Sequence, residues 1–254
     1  MDKKKELNKI QFEPFMKFVI EFHNASLSYN QLLNKIAEKP ELFNTDDIAS
    51  TEEAFLVKHL AEWETFILNI IVYCVSIDTS QISKFLDLEL PKKMSFENAT
   101  AVVNGLSYLS ITSSSELKGL AKKIIAEKNN PFEQFQMKFL NHIDEAYALR
   151  NYVAHKSRKS KSSLLKMYNN RHKIKEFIEP GKFLAERIKD EVGDYPRSHL
   201  YYGKFMTMVT MIWRHLDPKS YNFVYEDENT KEGWLKGMVK MNQVFEIMTK
   251  QYEL

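Results

Sequence analysis

The sequence predicts an all-α fold, an antiparallel helical bundle that carries a C-terminal helical extension. Three observations lead there. Glycine and proline number only 7 each in 254 residues, about half of their usual combined share of roughly 12%, which leaves too few turn-formers for a sandwich, a barrel or a many-stranded sheet. Apolar residues recur at three- and four-residue steps, the spacing of one helix face. Capping signals stand between these runs: Ser50-x-x-Glu53, Ser113-x-x-Glu116, Asn229-x-x-Glu232 and Asn130-Pro131-Phe132-Glu133, the last with proline at the first helical position.

Taken in order, the pattern predicts helices over residues 8–38, 51–77, 95–110, 115–128, 131–156, 178–192, 196–216 and 231–251. The second carries the stripe Leu56, Leu60, Trp63, Ile67, Ile70 and Cys74; the fifth carries Phe135, Phe139, Ile143, Ala146 and Tyr147. Phe205, Met208, Val209, Ile212 and Leu216 line the seventh, and Trp234, Met238, Met241, Phe245 and Met248 the eighth, as core or dimer interface. Residues 78–94 read as a loop with a short turn, and no alternation suggests a strand. The whole chain reads as a single domain, with 157–177 or 217–229 as the places where an extension would leave the core.

Apolar residues make up 44% and charged residues 28%, a globular balance. The single cysteine excludes an internal disulfide framework and a zinc site built on several thiolates. Cys74 lies on an apolar stripe and reads as packing. The start of the chain has no continuous apolar core, and the most apolar window, residues 66–77, is too short to span a bilayer. These features place the chain in a reducing cytoplasm, away from membranes. Histidines 23, 59, 142, 172, 199 and 215 show no paired metal spacing, and no phosphate-cradling glycine loop or nucleophile elbow occurs, so neither a metal nor a cofactor is expected.

The charge is unevenly spread. Residues 150–175 hold nine basic side chains and no Asp or Glu; the chain is +2 overall, so the remainder is −7. Such a block is the footprint expected for a phosphate backbone, with Lys156, Arg158, Lys159 and Lys161 as RNA-binding residues and Tyr152 and Tyr168 available to stack on bases. The same block also reads as a solvated lysine-rich loop after a helix, and 156–163 has a loop's composition.

The block opens with Arg150-Asn151-Tyr152-Val153-Ala154-His155. On a helical wheel with Arg150 at zero, Ala154 falls near 40°, Asn151 near 100° and His155 near 140°. Arg, Asn and His thus fan across one arc around a small alanine. A permanent cation beside a titratable imidazole suits an anion that changes charge during reaction. The plain alternative is an Arg and a His set against a helix C-terminal dipole.

Arg150-Asn151-x-x-Ala154-His155 resembles the R-x4-6-H signature of the HEPN superfamily in its R-N-x-x-A-H form. Trp63-Glu64-Thr65-Phe66 is similar to a W-E-x-F/Y pattern on an earlier helix of several HEPN groups. The likeness covers about residues 48–170, the expected HEPN-like core, and leaves about 171–254 as the extension. It implies a homodimer in which two Arg/His motifs meet in one cleft, and metal-independent endoribonuclease activity in prokaryotic phage defence, abortive infection or a toxin system. A cognate antitoxin or a defence-system partner belongs to that setting. Other members only bind nucleotides or RNA, so a non-catalytic binding module stays open, as does a helical interaction protein whose motif merely caps a helix.

The chemistry suits these residues in its own right. Cleavage by the 2′-hydroxyl needs a proton shuttle, His155, and a cation for the phosphorane, Arg150. Asn151 can orient a phosphate oxygen or the imidazole. Glu64, at the margin of its helix's apolar stripe, orients His155 or Arg150, or is simply an edge carboxylate. Some HEPN toxins carry a tyrosine two residues after the histidine, where a partner enzyme modifies them; Ser157 stands there, which removes that route of control.

Overall fold

A computed structural model describes residues 13–106, 111–189, 193–225 and 243–244. Ten α-helices are seen among them: α1 (Met16–Glu38), α2 (Thr45–Ile77), α3 (Ser80–Leu86), α4 (Phe96–Asn104), α5 (Ser114–Ile124), α6 (Met137–His155), α7 (Arg158–Met167), α8 (Pro180–Ala185), α9 (Arg197–Leu216) and α10 (Pro218–Val224). The all-α expectation holds.

Helix α2 is the central element, touching α1, α4, α6, α8 and α9. All six residues of its predicted stripe are buried, and from Ile70 to Ser76 every side chain is buried, so its last two turns are enclosed on all sides. Its 33 residues are long and apolar enough to cross a membrane by composition, although the apolar window read from the sequence was shorter. However, 61% of its most apolar window is buried inside the fold, as in a core helix. The helix starts six residues before the expected position because Asn44 forms a reciprocal capping box with Asp47, which outcompetes the Ser50 signal.

Several boundaries differ for identifiable reasons. The Asn130-Pro131 start is used, with Asn130 Oδ1 accepting from Phe132 N at 3.1 Å, but it opens a 3₁₀ turn, Pro131–Gln134, and α6 begins only at Met137. The break lets Phe132 and Phe135 both bury, edge to face at 5.8 Å. The expected helix over 178–192 stops at Ala185. The chain then pairs β1 (Arg187–Lys189) with β2 (Asp194–Pro196) antiparallel, Ile188 opposite Tyr195. Arg187 Nε donates to Asp194 Oδ1 at 2.8 Å across the pair, and Gly193, at φ +154°, takes a backbone angle open mainly to glycine. The 78–94 loop contains α3. The expected helix over 231–251 lies outside the described residues except Gln243 and Val244, which are helical; residues 8–12, 107–110 and 190–192 of three other expected helices also lie outside them.

The largest correction concerns the basic block, which is not a loop. Helix α6 ends at His155, and Lys156 takes left-handed angles, φ 43° and ψ 28°. Ser157 then caps α7, its Oγ accepting from Ser160 N at 3.1 Å while Ser160 Oγ accepts from Ser157 N. A one-residue left-handed reversal plus a serine capping box makes a helix–turn–helix out of a composition that suggested coil. Leu164 and Met167 bury α7's inner face.

Candidate functional site

Glu64 lies on α2, one residue after the fully buried Trp63 and therefore just off the core. Arg150 lies near the end of α6, which packs against α2. The two helices bring these side chains together: Arg150 Nη2 donates to Glu64 Oε1 at 2.5 Å. Beneath them the buried Tyr147 ring lies 5.4 Å from the guanidinium. Burial, and then the Glu64 charge, push the Tyr147 hydroxyl well above its ordinary range, so it stays protonated. Two motifs 86 positions apart therefore meet, and Glu64 orients Arg150 rather than His155.

The guanidinium side chain is 22% exposed and that of Glu64 39%, so the pair is open to solvent. A pair of this kind stabilises by about 0–1 kcal/mol. One terminal nitrogen is used, and the other donors of the guanidinium fork remain for an anion.

His155 is the last residue of α6 and is exposed. Among the described residues no side chain hydrogen-bonds its imidazole. Because α6 stays helical to His155, the 140° fan from Arg150 holds, with Asn151 half-buried and Ala154 exposed between them. Within one chain Arg150 is seated while His155 points outward.

Of the residues expected to bind RNA, Lys156, Arg158 and Lys159 are exposed around the α6–α7 turn. Lys161 is exposed but already engaged, its ammonium 4.1 Å from the centre of the Phe177 ring. Tyr152 and Tyr168 are not available for stacking on bases. Tyr152 is buried edge-on against Phe177, and Tyr168 is fully buried against Phe183 with its hydroxyl donating to Ile178 O at 3.1 Å. Each faces the core because it sits on the inward arc of its helix.

Sequence reading missed a second polar cluster. Buried Glu145 on α6 accepts from Arg171 Nη1 at 3.0 Å and from Tyr201 Oη at 2.8 Å, with His142 Nδ1 at 3.6 Å and His172 Nε2 at 3.5 Å. Burial alone would raise its pKa. Contacts from His142, His172, Tyr201 and Arg171 outweigh that and hold the carboxyl far below its usual range. His142 and Glu145, three apart on one helix, were the available signal; the partner His172 was invisible because a π-helical turn, Tyr168–His172, delivers it.

A third cluster is enclosed between α1, α2 and α9. Tyr29 donates to Glu52, which is 1% exposed, beside His59 and Ser198. The cavity there has room for about one water molecule. Burial raises the Glu52 pKa, against the pull of Tyr29 and Ser198, and burial lowers His59 to about 4. Cys74 is buried, and burial pushes its thiol up, as packing requires. Among the described residues no three His, Cys, Asp or Glu side chains are arranged to hold a metal ion. No protein-family model, curated protein or solved structure matches the chain.

Proposed function

We propose that the chain is a metal-independent endoribonuclease of the HEPN type, acting as a homodimer in the cytoplasm of a prokaryote, in phage defence or a toxin system. The observation that carries this reading is the Glu64–Arg150 pair, which joins the two motifs of the resemblance, at 2.5 Å, beside an exposed His155. In the proposed reaction the 2′-oxygen attacks the adjacent phosphorus. One His155 takes the 2′-hydroxyl proton, the partner's His155 gives a proton to the departing 5′-oxygen, and a 2′,3′-cyclic phosphate forms. Two imidazoles are needed because one cannot be base and acid together. The free donors of Arg150 take the phosphorane charge, Glu64 keeps the guanidinium plane fixed, and Asn151 offers an amide donor to a phosphate oxygen.

The purified protein is expected to cut RNA in the presence of EDTA. His155→Ala and Arg150→Ala should each abolish cutting with helical content unchanged; full activity in both would falsify the assignment.

One observation favours a non-catalytic RNA- or nucleotide-binding module instead: among the described residues no side chain hydrogen-bonds the His155 imidazole. RNA binding without cleavage products would select that reading.

A further inference from the structure

Helix α7 shows one face to the core and the opposite one to solvent. Leu164 and Met167 define the inner side; Ser162 lies nearly opposite them, flanked by Arg158, Lys159 and Lys166 at helical steps of three and four, with Asn169 following in the π-helical turn. That outer face forms one wall of an open groove lined by Ser162, Leu165, Lys166, Asn169 and Lys175. The other wall is the segment after the π-helical turn, and it is held in place. Glu145 and Asn141 grip Arg171, Lys173 reverses the chain in left-handed angles (φ 59°, ψ 22°), and Ile174 N donates to Tyr168 O at 3.2 Å. Lys175 is thereby set across from Lys166.

Arg150 and Arg171 are paired with Glu64 and Glu145 and Glu176 follows Lys175, but the groove's own lysines are left for a ligand. Residues 150–175 contain no carboxylate, and among the described residues Lys166 and Lys175 form no ion pair, while Lys173 turns back to Asn170 O at 3.2 Å. Ammonium, hydroxyl and amide donors spaced one helical turn apart, about 5.4 Å, suit a chain that repeats one negative charge per unit. Four of the five residues lining the open groove are polar or cationic and the fifth, Leu165, is half-buried, so the groove presents no large apolar side chain to anchor in a lipid surface. Arg158 and Lys159 stand on the same face of α7, one turn before Ser162 and just after the turn that follows His155.

We infer that this groove between α7 and residues 173–175 binds the phosphodiester backbone of single-stranded RNA and leads it toward the end of α6. The identification of the polyanion as RNA rests on the ribonuclease reading above; the groove and its charge do not. Contacts of this kind position a strand without reading its sequence.

The test is fluorescence anisotropy with a labelled 2′-O-methyl oligouridine, which lacks the attacking hydroxyl, titrated at several KCl concentrations. Against the wild type, the Lys166→Ala/Lys175→Ala double variant should bind about tenfold more weakly at low salt. Its slope of log affinity on log salt should be shallower by about 1.4, the loss of two phosphate contacts on a single strand. Lys122→Ala/Lys123→Ala, on the exposed last turn of α5, is the control and should change neither. Equal effects in the two doubles, or none in the first, overturn the groove. Competition by polyglutamate as strong as by oligouridine overturns the RNA assignment. The probe is blind to cutting, so failure here leaves the Arg150–His155 chemistry standing, and an active His155→Ala enzyme would leave the groove standing.

Discussion

Glu64 and Arg150 form a pair whose worth lies in orientation rather than stability. Glu64→Gln keeps the shape and removes the charge, so it should leave the thermal midpoint nearly unchanged, within the 0–1 kcal/mol of an open ion pair. On the proposed ribonuclease reading it should lower the cleavage rate under saturating substrate, because a neutral amide holds the guanidinium less firmly than a carboxylate; an unchanged rate would refute that role. Histidines 23 and 59 make a separate prediction. Burial lowers both to about 4, whereas an unfolded histidine titrates near 6.5. Between those values the unfolded chain binds more protons, so stability falls as pH drops through that window, by up to about 3 kcal/mol per ring. Glu52 works the other way: its raised pKa means that its contribution is present at low pH and is lost as pH rises past the unfolded carboxyl value. Urea midpoints at about pH 7 and about pH 4.5 measure the balance, and His59→Phe should shrink the difference between them.

Helix α8 approaches α2 so closely that a Cβ at Gly181 would stand 2.1 Å from the Ala49 carbonyl oxygen. The approach is stitched by Gly181 N donating to Glu53 Oε1 at 3.1 Å. Gly181→Ala must therefore push the helices apart and should destabilise by about 3 kcal/mol or more, at the upper end of overpacking, which denaturant unfolding would read directly. Gly119, with open space around its Cβ position, should tolerate the same change. Contacts of this kind decide which elements a sequence shows in advance. Helix α2 was legible because its stripe is long and regular. Helix α7 was not, since its ten residues hold three lysine or arginine side chains in the first four and only two buried apolar residues, a pattern no different from coil until Ser157 caps it. The hairpin was hidden by its three-residue strands, too short for alternation to register. At the site, Arg150, Asn151, His155 and Glu64 were nameable from spacing, but the partner of Glu64 and the engagement of Lys161 by Phe177 needed the folded chain.

The bundle as a unit is tied at one polar knot. Glu145 collects groups from α6, the π-helical turn and α9 at a single buried carboxylate. Glu145→Ala would leave the Tyr201 hydroxyl without its acceptor and Arg171 with only the Asn141 oxygens, a loss expected to cost about 1–3 kcal/mol. Differential scanning calorimetry should show it as a drop in Tm, and hydrogen exchange should rise first in residues 168–175. Trp63→Ala, at the centre of the apolar core, should destabilise by about 3–5 kcal/mol with no local preference, so the two variants separate a knot from a filling.

The distance along the chain between Glu64 and Arg150 has an outcome for biogenesis. Their meeting spans 86 positions, so a polypeptide still emerging from the ribosome has no seated guanidinium until α6 has been synthesised and has closed against α2. On the proposed ribonuclease reading, competence would arrive only once α6 has closed against α2, and nascent fragments ending before it would be inert beside the translation machinery that makes them.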